Sequence, residues 1–303
     1  MTGPILVTGG TGQVATCLAE QGQGVVRVGR PEFDFEAPGA IVPLLERVRP
    51  RIVVNAAAYT AVDKAESEPE AALRANAEGP GLIAAWCAQA GVPLIHISTD
   101  YVFDGSKGTP YAETDAPNPI GVYGATKLAG EHAVLAVHPA AIILRTSWVY
   151  AAQGKNFVRT MLGAARKTDR LRVVGDQIGC PTDAHDLAAV ILAIAAQIDA
   201  EGMQPCFAGV THAAGSGWTS WHGLATEIFA AAGPLGHPVP EVAAITTVDW
   251  PTPVRRPADS RLNCARLATV FGLHLPEWQT SLHRTVARIL RDDSSHAPAA
   301  VPA

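Results

Sequence analysis

Tyr123 and Lys127 stand four residues apart in Tyr123-Gly124-Ala125-Thr126-Lys127, a spacing that sets a phenol and an ammonium on one face of a helix. A phenol has a pKa of about 10 in water, too high for ready proton exchange near neutrality, and a nearby cation favours the phenolate. Lys127 can supply that charge while gripping the ribose of a bound cofactor. A third group should hydrogen-bond the reacting oxygen, and Thr99, in Ser98-Thr99-Asp100 at the end of an expected strand, is placed for it. Tyrosine and lysine at this spacing also occur as plain helix surface, so the pair takes its meaning from the chain upstream.

Upstream lies a glycine turn, Thr8-Gly9-Gly10-Thr11-Gly12-Gln13-Val14-Ala15, between an apolar run and a helical stretch. Glycines there permit positive φ and close approach to a pyrophosphate, and the helix N-terminus offers free N–H groups and partial positive charge. Ala15 takes the third small position that close helix–strand packing requires. No Gly-Lys-Ser/Thr follows, which excludes a P-loop. After the expected second strand comes Arg30, which suits a 2′-phosphate where an acid would suit a 2′-hydroxyl. NADPH is therefore the expected cofactor, with NADH the alternative. Asp34 and Phe35 are expected at the adenine, and Ala56, Ala57 and Ala58 would let the backbone lie flat against the cofactor.

The elements that must position these residues alternate strand and helix. Strands are expected at 4–8, 25–29, 51–56, 93–98 and 140–145, and helices at 12–21, 40–48, 69–89 and 122–136, the third kinked or split at Pro80 and Gly81. This pattern predicts an α/β fold: a Rossmann-type doubly wound parallel sheet with a smaller, interleaved substrate-binding portion. Residues 1–148 are expected to be mainly dinucleotide-binding, 149–291 mainly substrate-binding, and 292–303 a disordered, Ala/Pro-rich tail. The 303 residues are 48% hydrophobic and 17% charged, enough for a sizeable core. No apolar stretch reaches the roughly 20 residues of a membrane span, and no secretory leader is apparent, so the default location is cytoplasmic. Net charge is −5, with positive charge concentrated only at Arg255, Arg256 and Arg261. That argues against nucleic acid or membrane surfaces as partners and suits one phosphorylated small molecule. Five scattered cysteines show no metal-ligand spacing and read as small packing residues; no metal is expected.

The segments VTGGTGQVA, VVNAAAYTAVDKAESEP, HISTDYVFDG, VYGATKLAGE, LRTSWVY, DQIGCPT and PTPVRRPADSRL, in this order, carry a resemblance over nearly the whole chain. It resembles the extended short-chain dehydrogenases/reductases, and within them the dTDP-4-dehydrorhamnose reductase family. The resemblance implies NADPH-dependent reduction of the C4 ketone of a nucleotide sugar, with Tyr123 protonating the oxygen, Lys127 stabilising the phenolate and Thr99 hydrogen-bonding the oxygen. It puts Asp100, Tyr101 and Trp148 at the sugar and makes Arg255 and Arg256 candidates for the diphosphate, with Asn156, Phe157 and Gln177 weaker candidates for the nucleotide pocket. Some members form dimers linked by Mg²⁺ on glutamates; those positions carry Cys17 and Arg288 here. A monomer or homodimer is expected, and a metal-linked dimer is not.

Three rivals share the fold. A dehydratase needs an acid and base after the threonine, where this chain has Tyr101, which disfavours elimination. An epimerase or reductase of another nucleotide sugar is compatible with the residue types. A non-catalytic NADP-binding subunit, like the β subunit of methionine adenosyltransferase, would not require Thr99, Tyr123 and Lys127 together.

Overall fold

The computed structural model describes residues 3–295. Six strands form one sheet: β1 Ile5–Thr8, β2 Val25–Val28, β3 Ile52–Asn55, β4 Leu94–Thr99, β5 Ile142–Thr146 and, after four short strands, β10 Gly209–His212. The intervening strands are β6 Val149–Tyr150, β7 Arg170–Val174, β8 Ile178–Gly179 and β9 Thr182–Asp183; β11 Thr219–Ser220 and β12 Glu241–Ile245 follow. The sheet order is β10-β5-β4-β3-β1-β2 and every pairing is parallel. Its inner strands are buried along their length, which is why they read as continuous apolar runs without alternation.

The helices are α1 Gln13–Gln21, α2 Ile41–Val48, α3 Val62–Ala65, α4 Pro69–Leu73, α5 Gly79–Ala90, α6 Val122–Val137, α7 Phe157–Ala165, α8 Ala184–Glu201, α9 Trp221–Ala232, α10 Ala265–Phe271 and α11 Trp278–Ser295. One face of the sheet packs on Leu18 of α1 and Leu187, Ile191 and Ile194 of α8. The other packs on Leu44 and Leu45 of α2, Ile83 and Cys87 of α5 and Val134 of α6. The sheet is thus wound on both sides, the Rossmann arrangement that the alternation implies. A separate core joins α7, α9 and α11 through Val158, Leu162, Leu224, Ile228, Leu282 and Val286, beside the parallel pair β7–β12.

One edge strand of the sheet, β10, and the helix α8 come from the chain after Trp148, so the later part of the sequence completes the sheet. The strands end together at Thr8, Asn55, Thr99 and Thr146, with Thr99 opposite Thr146 in register. The groups read for chemistry lie along that carboxyl edge, where doubly wound sheets hold their ligands.

Three expectations are revised. The helix over 69–89 is not broken at Pro80: a π-helical turn, Arg74–Glu78, joins α4 to α5, and Pro80 lies in the first turn of α5. The turn aims Asn76 at its neighbours, its Oδ1 accepting from Tyr59 N and its Nδ2 donating to Thr126 Oγ1. Helix α11 continues through Ser295, so the start of the expected tail is helical, and Asp293 pairs with Arg159 and Arg166, both at 3.1 Å. The remainder of that tail lies outside the described residues. Cys17, Cys87 and Cys180 are buried as expected of packing residues, but Cys206 is exposed. Among the described residues no helix is long and apolar enough to cross a membrane.

Candidate active site

The turn between β1 and α1 is built for close approach. Gly9 has φ +109°, and a Cβ there would fall 2.9 Å from Ala56 O; Gly10 has φ +51°. A Cβ on Gly29, just after β2, would fall 2.4 Å from Gly10 Cα. No side chain among the described residues caps α1 at Gly12, which leaves its first amides free for an anion. Behind the turn a buried chain of polar groups fixes the strand ends. Thr8 Oγ1 donates to Asn55 Oδ1 at 2.6 Å, Asn55 Nδ2 meets His96 Nδ1 at 2.9 Å, and Ala57 N donates to Thr8 Oγ1. A dinucleotide's pyrophosphate fits this cradle.

Arg30 is largely exposed and paired with Asp34 at 2.9 Å; an exposed pair of this kind is worth little and can exchange for a phosphate. Phe35 is not at an open cleft. Its ring is in the core under the sheet, edge-on to Phe33 and so close to α5 that a Cβ on Gly79 would meet it at 2.0 Å.

The structure brings Thr99, Tyr123 and Lys127 together. Thr99 ends β4, and α6 carries Tyr123 and Lys127 against it. Helix α6 can approach because Gly124 and Gly130 have no side chains: a Cβ on each would fall 2.1 Å from Tyr101 O and 1.9 Å from Asn76 O. Tyr123 lies within hydrogen-bonding reach of Thr99 and packs edge-on to Tyr101, ring centroids 5.8 Å apart. Burial pushes its phenol up to about 12, with Thr99 opposing and the Asp100 charge adding. Lys127 is 2% exposed, and burial brings its ammonium down to about 8, with Glu131 opposing. Among the described residues its one hydrogen bond is to Ile97 O at 2.7 Å, so two N–H groups remain for ribose hydroxyls. The ammonium is therefore engaged with the strand, and the site as it stands keeps Tyr123 in its protonated form.

Asp100 does not face an open sugar site. It is 2% exposed, and its oxygens accept from Thr99 Oγ1 at 3.0 Å and Ser147 Oγ at 2.9 Å. Trp148 is half-buried at φ +47°, stacked face to face on Trp221, with its indole so near Gly179 that a Cβ there would lie 2.4 Å away. Such a φ is uncommon outside glycine and marks a residue held by its surroundings. Arg256 pairs with Asp63 at 2.9 Å and keeps a buried Nε with no partner among the described residues, whereas Arg255 is exposed. Arg261 is committed to Asp259 and Gly108 O. Asn156 caps α7 and donates to Gln13 Oε1 at 2.9 Å, a tie between the later chain and the glycine turn; Phe157 packs on Trp221, and Gln177 donates to Thr247. Cys17 and Arg288 line one cavity of about 100 Å³ with Gln153 and His185, and Arg288 reaches Glu20 at 3.2 Å.

Sequence reasoning missed the residues that seat α6. Glu66 Oε1 accepts from Val122 N at 2.8 Å, capping the helix that carries Tyr123. Beneath Lys127, Glu131 and Arg145 form a buried ion pair at 2.6 Å, with Ser98 donating to Glu131. The acids in AVDKAESEP and the glutamate in KLAGE were visible, but only tertiary contact gives them partners.

Comparison with known proteins places the chain in one family. The RmlD substrate binding domain family matches residues 1–291. The chain is 44% identical over 289 residues to the dTDP-4-dehydrorhamnose reductase of Sinorhizobium fredii, covering 94% of this chain and 97% of that protein. It is similar in structure to a dTDP-4-dehydrorhamnose reductase of Clostridium acetobutylicum, with TM-score 0.87, 36% identity and coverage of 95% and 99%. The Bacillus anthracis dTDP-4-dehydrorhamnose reductase, solved in complex with NADP, aligns with TM-score 0.87 at 32% identity and the same coverage. The chain belongs to the RmlD substrate binding domain family, among the dTDP-4-dehydrorhamnose reductases.

Proposed function

We infer that the protein reduces the C4 ketone of dTDP-4-dehydro-L-rhamnose with NADPH, giving dTDP-L-rhamnose. One observation carries this reading: Thr99, Tyr123 and Lys127 converge at the carboxyl edge of the sheet in a chain that matches these reductases along nearly its whole length. The bound nicotinamide supplies the hydride to C4. Tyr123, with its proton held by burial, gives that proton to the far more basic alkoxide as it forms. Lys127 binds the ribose with its two remaining N–H groups and offsets the charge left on the phenolate. Thr99 hydrogen-bonds the reacting oxygen.

Gly9, Gly10, Thr11, Gly12, Gln13 and Val14 hold the pyrophosphate, Ala56 to Ala58 line the cofactor, and Arg30 takes its 2′-phosphate, exchanging Asp34 for it. Tyr101 and Trp148 flank the sugar. Arg256, with its Nε unpartnered among the described residues, is better seated for the diphosphate than the exposed Arg255.

The test supplies dTDP-4-dehydro-L-rhamnose, made in place from dTDP-glucose by a dehydratase and an epimerase, together with NADPH. Loss of nicotinamide absorbance with dTDP-L-rhamnose identified by mass and NMR is expected. NADPH binding without oxidation would overturn the substrate assignment in favour of another ketosugar.

A further inference from the structure

The mechanism above leaves one ionisable group at the reacting centre without a task. Asp100 is buried between three segments: its Oδ1 accepts from Thr99 at the end of β4, its Oδ2 from Ser147 just after β5, and Ser260 reaches it from the strand-like segment beside β8. A carboxylate can only accept. While ionised, Asp100 therefore holds the Thr99 proton, and Thr99 accepts from Tyr101 N at 3.2 Å and has no second proton to give to the Tyr123 oxygen within its reach. Once protonated, Asp100 can donate to Thr99, and the Thr99 proton turns towards Tyr123 and the substrate oxygen.

We propose that Asp100 is a positioning residue that sets the direction of the Thr99 hydroxyl and, when protonated, replenishes Tyr123 through it after reduction. In that relay the Asp100 O–H bond breaks as its proton passes to Thr99, and the Thr99 proton passes to the Tyr123 phenolate. Tyr123 ends as a phenol and Asp100 as a carboxylate that Ser147 and Ser260 receive; a solvent proton later restores it. The proposal rests on the reductase reading of this site.

Burial raises the Asp100 carboxyl to about 6, with Ser260, Ser147 and Thr99 opposing, so the group changes state within a usable pH range. The titratable groups packed around it are Tyr101 on its own turn, Tyr123 on α6 and Cys180 before β9. Burial pushes all three up, and they are neutral there. The charged groups on those segments are Lys127, Arg256 beside Tyr101, and the Asp259–Arg261 pair flanking Ser260.

Two measurements test this. In ¹³C NMR of the cofactor-free protein, one aspartate should titrate near pH 6 and vanish in Asp100→Asn. In turnover, kcat for reduction should rise as pH falls from 7.5 to 5, by up to about 30-fold, the change in the protonated fraction of a group with pKa 6. Asp100→Asn should flatten that step and leave KM in place, and in a Thr99→Ala background it should add nothing. Ser147→Ala should move both midpoints upward, which keeps the test open if Asp100→Asn does not fold. A step that survives Asp100→Asn, a change confined to KM, a full additional loss on top of Thr99→Ala, or an unmoved midpoint in Ser147→Ala would each overturn the proposal. Absence of any NADPH oxidation by the wild type would instead overturn the reductase reading, while the NMR titration would still report on Asp100.

Discussion

Replacing Arg145 by methionine would test how the floor of the site is held. Arg145 and Glu131 are 3% and 2% exposed, joined by Nε–Oε1 and Nη2–Oε2 hydrogen bonds of 2.9 and 2.6 Å. Methionine roughly preserves the volume of the stem but leaves the Glu131 charge buried, with Ser98 as its remaining donor. Breaking a buried pair from one side costs about 3–5 kcal/mol, a large share of a total stability of about 5–15 kcal/mol. For a chain of 303 residues, at about 2.1 cal/mol/K of unfolding entropy per residue, that is a fall in Tm of roughly 5–8 °C. Contact between the Arg145 guanidinium and the Phe103 ring, 5.1 Å apart, adds to the loss.

The decisive comparison is a double-mutant cycle with Glu131→Gln, which removes the stranded charge while still accepting from Ser98. Urea unfolding followed by circular dichroism should show the double variant recovering about 2 kcal/mol relative to the sum of the single losses. A single variant within about 1 kcal/mol of wild type, or strictly additive losses, would refute the argument that an uncompensated charge is what the fold cannot tolerate.

Tyr123→Phe should lower kcat for reduction by about 10²–10⁴-fold while NADPH still binds, as measured by nicotinamide fluorescence. The Lys127 pKa of about 8 lies below its unfolded value of 10.5. The folded state therefore binds fewer protons than the unfolded chain between those values, and wild-type stability rises with pH across that window. Lys127→Met should be more stable than wild type at pH 7 by up to about 3 kcal/mol, with the gap closing towards pH 10 in unfolding titrations, although its activity is lost. Glu66→Ala uncaps α6 and should cost about 1 kcal/mol in thermal melts. Arg30→Ala should weaken NADPH binding about tenfold, roughly 1.4 kcal/mol, without changing the NADH constant.

The glycine turn before α1 and the place of Tyr123 and Lys127 on one helix were legible because both follow from local spacing, which the chain displays directly. Thr99 was legible as a strand end for the same reason. Phe35 was not: its distance from Arg30 suits an adenine contact, but burial of an aromatic under the sheet is set by Gly79, which is distant in sequence. The π-helical turn at Arg74–Glu78 was likewise hidden, because Asn76 must meet Tyr59 and Thr126 at once and no local propensity records that demand. Pro80 looked like a helix breaker, yet in the first turn of α5 it forgoes a hydrogen bond that the turn before it had already displaced. The resemblance put Asp100 at the sugar; only the convergence of Ser147 and Ser260 reveals its burial.

The edge place of β10 in the sheet has a consequence for synthesis and for truncation. A nascent chain that has emerged only as far as Trp148 has β5 with its outer edge bare, and that edge stays bare until His212 arrives. Bare edges invite pairing with other chains. A fragment ending at Trp148 should accordingly self-associate, and the smallest autonomous piece of this protein that holds its cofactor should extend at least through His212.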